Sequence, residues 1–188
     1  MKLSGDLSKQ EISDKARFAI IGALIILGVA SRLLPHPPNF APITALALFG
    51  GALIPGRAGL WLPLAAMVVS DFFIGFHGLI LFTWGAFFLI ALFSKSQLSK
   101  NLNLTNLGGT TVAASVFFFL ATNFGVWLQG FLYPRTFEGL ADAYMMALPF
   151  FRNTLLGDLF FTGIIFGAYY FAVRFVHWLN TKPAKIAV

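Results

Sequence analysis

Apolar positions in this chain fall in long runs broken by short polar or proline-containing segments, without the narrow stripe of a soluble amphipathic helix. The runs cover residues 17–34, 41–54, 58–76, 79–93, 110–128 and 153–176. A spanning helix needs about 20 mainly apolar residues to cross about 30 Å of hydrocarbon. Five runs approach that length, and the second is short for a full span. Pro55-Gly56-Arg57 ends the second run, and Pro63 predicts a kink in the third. Residues 94–106 read as a polar connection. Residues 129–149 read as a long connection whose 140–148 part forms a short interfacial helix. The expected fold is therefore an all-α membrane protein, a six-transmembrane-helix bundle. Its domain layout is a polar leader over 1–16, one transmembrane domain over 17–178 and a short tail over 179–188.

Composition agrees. Hydrophobic residues make up 58% and charged residues 11%, and there are 23 Phe. A soluble domain carries about 25% charged residues; this chain could not cover its surface in water. With no cysteines, disulfides and thiolate metal sites are excluded. Val29-Ala30-Ser31 loosely resembles a signal-peptide cleavage site, but Arg32 directly after the run and the long leader argue against cleavage.

The net charge of +6 raises the question of nucleic acid, yet the basic residues form no stripe and no aromatic-interleaved patch. They sort by loop instead. With a cytoplasmic N-terminus, the inner segments hold Lys2, Lys9, Lys15, Arg17, Arg57, Lys95, Lys100, Arg174, Lys182 and Lys185. The outer segments hold Arg32, Arg135 and Arg152. That positive-inside bias predicts both termini in the cytoplasm and a multi-pass protein of a bacterial cytoplasmic (inner) membrane.

Charges at membrane depth cost about 2.5–3.5 kcal/mol each on insertion scales, so they have a partner or a job. Asp71 and Asp158 are such groups. Both precede aromatics and a glycine, in Asp71-Phe72-Phe73-Ile74-Gly75 and Asp158-Leu159-Phe160-Phe161-Thr162-Gly163, which reads as a trace of an inverted three-plus-three repeat. Thr154, Asp158 and Thr162 recur every four residues as one polar stripe. Ser115, Thr122 and Asn123 share a face on the fifth run. Two readings stand side by side. In one, the acids pair with Arg32 and Arg152 and lock the bundle. In the other, these groups line a polar cavity open to the outside.

The segment Leu34-Pro35-His36-Pro37-Pro38-Asn39-Phe40-Ala41-Pro42 holds four prolines, which fix φ and remove donors. Such a loop is stiff. It is either a plain connector or a lid offering His36, Asn39 and Phe40 to a solute. His77 and His177 read as interfacial. Three scattered histidines give no metal-ligand spacing, no cofactor is implied, and no phosphate-binding loop is present, so the chain does not hydrolyse ATP itself.

The stretch from Arg32 through Pro42, followed by Ala45-Leu46-Ala47-Leu48-Phe49-Gly50-Gly51, resembles a bacterial family of small membrane proteins of unknown function grouped as transport proteins. Ser70-Asp71-Phe72-Phe73-Ile74-Gly75-Phe76-His77 and Pro149-Phe150-Phe151-Arg152-Asn153-Thr154-Leu155-Leu156-Gly157-Asp158 extend the resemblance over roughly residues 17–178. More distantly, length and helix count resemble the S components of energy-coupling-factor vitamin transporters. That resemblance implies an outward-facing pocket capped by the loop between the first two helices. It also implies a transmembrane coupling subunit with ATPases as partner, docked through small residues of the first helix. Ala19 and Ala23 fit that spacing, but Leu27 interrupts it.

Taken together, the expected function is a substrate-binding subunit or small carrier that captures a nutrient- or vitamin-like solute from the outer face, with membrane lipids around it. The expected solute-binding residues are Arg32, His36, Asn39, Phe40, Asp71, Asn123, Arg152, Asn153 and Asp158. A non-transport scaffold that binds another membrane protein through Phe-rich faces is the alternative. An intramembrane hydrolase using both acids is less favoured, because nearby arginines would hold the two carboxylates ionised; no enzymatic activity is expected.

Overall fold

The structure, a computed structural model, describes residues 14–181. Among the described residues there are six α-helices and no β-sheet: α1 (Asp14–Leu33), α2 (Ile43–Leu53), α3 (Ala58–Ile74), α4 (Ile80–Gln97), α5 (Leu104–Gln129) and α6 (Phe137–Thr181). Most of the leader and all but the first residues of the tail lie outside the described residues.

Unlike a soluble protein, the bundle is apolar on its surface as well as in its core, and its few intramembrane polar groups are turned inward. Leu81, Phe72 and Phe171 are 84%, 73% and 71% exposed, while Ser70, Asp71, Ser115 and Asp158 are buried. In water that arrangement would be untenable; in lipid the apolar face meets acyl chains and polar groups must turn inward. Three helices are long and apolar enough to cross a membrane: Ile80–Gln97, Leu104–Gln129 and Phe137–Val176. The expectation of six full spans is corrected here. The apolar parts of α1, α2 and α3 hold 16, 11 and 17 residues. At 1.5 Å per residue these reach about 24, 17 and 26 Å, short of about 30 Å.

α2 is the axis of the fold. It packs against α3, α4, α5 and α6 and touches α1, and every residue from Ile43 to Gly51 is buried. A helix apolar all round belongs in such a place. Small residues bring its neighbours close. A Cβ at Gly50 would lie 2.2 Å from the Gly59 carbonyl oxygen of α3, and one at Gly51 would lie 2.1 Å from the Ala91 oxygen of α4. Pro63 is inside α3 and has no N–H, so the Gly59 carbonyl four residues back lacks its helical donor. That freed carbonyl is the one lying on Gly50. Ser94 Oγ of α4 donates to the Leu48 carbonyl of α2 at 2.6 Å, a second tie to the axis.

Two boundaries differ from the sequence reading. Residues 137–181 form one 45-residue helix with Pro149 inside it, instead of an interfacial helix and a separate span. Proline is tolerated in membrane helices because neighbours satisfy the freed backbone groups. α5 starts at Leu104, not near residue 110. Its cap is Asn103, whose side chain accepts from the Asn106 N–H at 2.8 Å.

Candidate functional site

α1 ends, α2 begins, α3 ends and α4 begins at the same end of the bundle, so their connecting loops cluster there. In the first of these loops, Phe40 N–H donates to the Pro37 carbonyl at 3.0 Å, closing a turn with Pro38 and Asn39 at its centre. Asn39 has φ 62°, the positive value that the third position of a type II turn requires and that Asn tolerates. Phe40 then packs on α6. Its ring lies 5.8 Å from that of Phe160 and 5.4 Å from that of Phe161, and it fits closely over Gly157, where a Cβ would meet it at 3.1 Å.

Beneath this loop is a cavity of about 390 Å³. Its mouth carries the exposed residues His36, Asn39 and His77. Its floor is polar, with Thr44 of α2 and Thr154 and Asp158 of α6, and Arg32 of α1 stands in its wall. Ile43, Met67, Ile74, Phe87 and Phe118 supply apolar wall. Phe87 and Phe118 are stacked, with centroids 4.7 Å apart. His36 Nδ1 donates to the Leu34 carbonyl at 2.7 Å, which leaves Nε2 of the neutral ring as an acceptor at the mouth.

The two acids have different surroundings, despite their similar sequence context. Asp71 is fully buried and its Oδ1 lies 2.6 Å from Arg32 Nη1. That contact is a charge pair without an aligned hydrogen bond. Asp71 Oδ2 accepts from Trp84 Nε1 at 2.8 Å. Arg32 Nη1 also donates to Ser70 Oγ, which donates onward to the Ala66 carbonyl at 2.7 Å. Asp158 is 2% exposed and forms no ion pair with Arg152. Its Oδ2 accepts from Ser115 Oγ of α5 at 2.6 Å, and Thr44 of α2 lies beside it in the cavity. Locking by ion pairs thus describes Asp71 and Arg32, and does not describe Asp158.

Of the residues singled out in the sequence, Arg32, His36, Asn39 and Asp158 meet in the cavity. Asp71 stands behind Arg32 and positions it. Phe40 anchors the loop on α6 and does not line the cavity. Asn123 donates to the Phe119 carbonyl of its own helix at 2.8 Å and is also outside it, as a hydrogen bond to the i−4 carbonyl keeps it on the helix surface. Arg152 is exposed, and Asn153 half-buried, within α6; neither lines the cavity. They were placed at a helix end because Pro149 reads as a break, but the helix continues to Phe137. Thr44, Thr83, Phe87 and Phe118 were missed, and His77, which reads as interfacial in the sequence, lies at the cavity mouth. Thr154 was visible as part of the α6 polar stripe. The stripe's last member, Thr162, is buried with no hydrogen-bond partner for its hydroxyl among the described residues.

A family model described as "Family of unknown function (DUF6580)" matches residues 12–181. No curated protein and no solved structure matches the chain, so the likeness to energy-coupling-factor S components finds no support there.

Proposed function

Since the chain belongs to this family of unknown function, we propose from its own geometry that it is a membrane solute-binding protein, a capture subunit or small carrier. One observation carries the reading: a polar floor inside the bundle, with the buried Asp158 in it, is reached from a mouth of exposed polar residues at one end of the bundle. Lipid-facing scaffolds gain nothing from such a cavity, and its volume lies in the range of small-molecule sites. In this proposal the loop-bearing end faces outward and both termini face the cytoplasm of a bacterial cell, because Arg57, Lys95, Lys100 and Arg174 favour the inner side. α1 and α3 cross a locally thinned bilayer, and α2 reaches only part of the way. A coupling subunit with ATPases, if the protein is a capture subunit, meets the exposed α1 face bearing Ala19 and Ala23.

The test is a thermal-shift screen of detergent-purified protein against vitamins, nucleobases and amino acids. A ligand at 100 times its Kd stabilises by about 2.7 kcal/mol, so a true solute raises Tm. Asp158→Asn should remove that shift. A screen in which every shift survives Asp158→Asn and Ile74→Trp, which crowds the mouth, would reject the cavity as the binding site.

A further inference from the structure

The charges around the cavity do not cancel, and the imbalance points to a class of solute. Arg32 faces the cavity, but its guanidinium is already held by Asp71 and Ser70. The hydroxyls beside Asp158, Ser115 hydrogen-bonded to it and Thr44 in the same cavity, carry no charge. No lysine or arginine forms an ion pair with Asp158 among the described residues. His36 and His77 sit at the exposed mouth, and His36 spends one ring nitrogen on its own loop. The α4 and α5 walls contribute Thr83, Phe87 and Phe118, none of them ionisable.

A carboxylate in such a place is a charge removed from water without a counter-ion, which is costly unless a cation arrives or the group is protonated. We infer that the solute brings the cation: the cavity selects small molecules carrying a protonated nitrogen on an apolar or aromatic body, with Asp158 as counter-ion. The apolar body fits the remaining wall. The stacked pair of Phe87 and Phe118 offers ring surface, and an aromatic face within about 6 Å also attracts a cation. Anionic solutes are excluded by the same uncompensated carboxylate, because the one guanidinium present is committed to Asp71. This inference rests on the solute-binding reading of the cavity.

The experiment compares three isosteres that differ in charge: benzylamine, benzyl alcohol and benzoate, each titrated at neutral pH into the full-length detergent-purified protein and followed by Tm and by calorimetry. The expected result is a saturable rise in Tm with benzylamine, at least tenfold weaker binding of the alcohol and no binding of benzoate. Asp158→Asn should bring benzylamine down to the level of the alcohol, while Asp142→Asn, on an exposed part of α6, leaves the series unchanged. Because the wild-type series decides the matter by itself, a failure of Asp158→Asn to fold does not remove the test. If the alcohol or benzoate binds as well as benzylamine, and Ile74→Trp abolishes that binding, solute capture stands and the charge assignment is overturned. If none of the three binds, the charge assignment is overturned, and the thermal-shift screen with Asp158→Asn and Ile74→Trp decides the solute-binding reading separately.

Discussion

Neutralising Arg32 and neutralising Asp71 should differ in cost, although they break the same ion pair. Arg32→Met leaves the Asp71 carboxylate fully buried, with Trp84 Nε1 as its remaining donor. An orphaned buried charge costs about 3–5 kcal/mol. Asp71→Asn keeps the shape and the acceptor for Trp84, and it leaves the guanidinium beside Ser70 on the wall of an open cavity. Only the charge-assisted part of one contact is lost, about 1–2 kcal/mol. The double variant has no orphaned charge, so it should lose about 1–2 kcal/mol in all, giving a coupling of about 3–5 kcal/mol, at or above the upper end for residues in contact. Reversible unfolding in mixed micelles, followed by Trp fluorescence, measures each corner of the cycle. Equal costs for the two single variants would refute the asymmetry. A coupling near 0.6 kcal/mol, the average for hydrogen bonds between membrane helices, would refute the ion pair itself as a structural element.

Three further outcomes are expected. Gly50→Ala places a methyl 2.2 Å from the Gly59 oxygen and should cost about 3 kcal/mol, the top of the overpacking range, whereas Gly22→Ala, with open space around it, should stay within about 0.5 kcal/mol in the same unfolding assay. Phe40→Ala removes the ring contacts with Phe160 and Phe161 and should speed hydrogen exchange in residues 34–42 with a modest drop in Tm; exchange unchanged in that loop would mean it is held by its prolines alone. The chain has no cysteines, so Asn39→Cys and Lys100→Cys can be labelled one at a time. An impermeant maleimide applied to intact cells should modify the first and spare the second, and the reverse pattern would invert the proposed orientation.

Much of the fold was legible because the apolar runs are long and the breaks are chemically blunt. Pro55-Gly56-Arg57 does lie between α2 and α3, and the Pro-rich stretch does join α1 and α2. Errors arose where a local rule met tertiary context. Pro149 reads as a helix end, yet α6 runs through it. The six runs imply six spans by hydropathy, yet length and apolar content suffice in three helices. At the site, Asp158 and Arg32 stood out because charge in an apolar run is rare. Threonines stood out less: Thr44 looks like any helix-start residue, and only the packing of α2 against α6 brings it to Asp158. Phe87 and Phe118 were hidden among 23 phenylalanines. Asp71 and Asp158 resemble each other in sequence, and nothing local separates a carboxylate with an arginine from one without.

The short axis of the bundle sets a condition on biogenesis. At 11 residues, α2 cannot be laid across a bilayer by its own hydrophobic length. It also leaves the ribosome before α4, α5 and α6, the three helices long and apolar enough to cross a membrane. Its buried position exists only when those later helices surround it, so a nascent chain ending before α4 has nowhere to put it. Full burial of α2 is therefore a late event, completed when α4, α5 and α6 have packed round it. A cysteine placed at the fully buried Leu48 of α2 should react with a maleimide on shorter ribosome-arrested chains and be protected once α4, α5 and α6 have emerged.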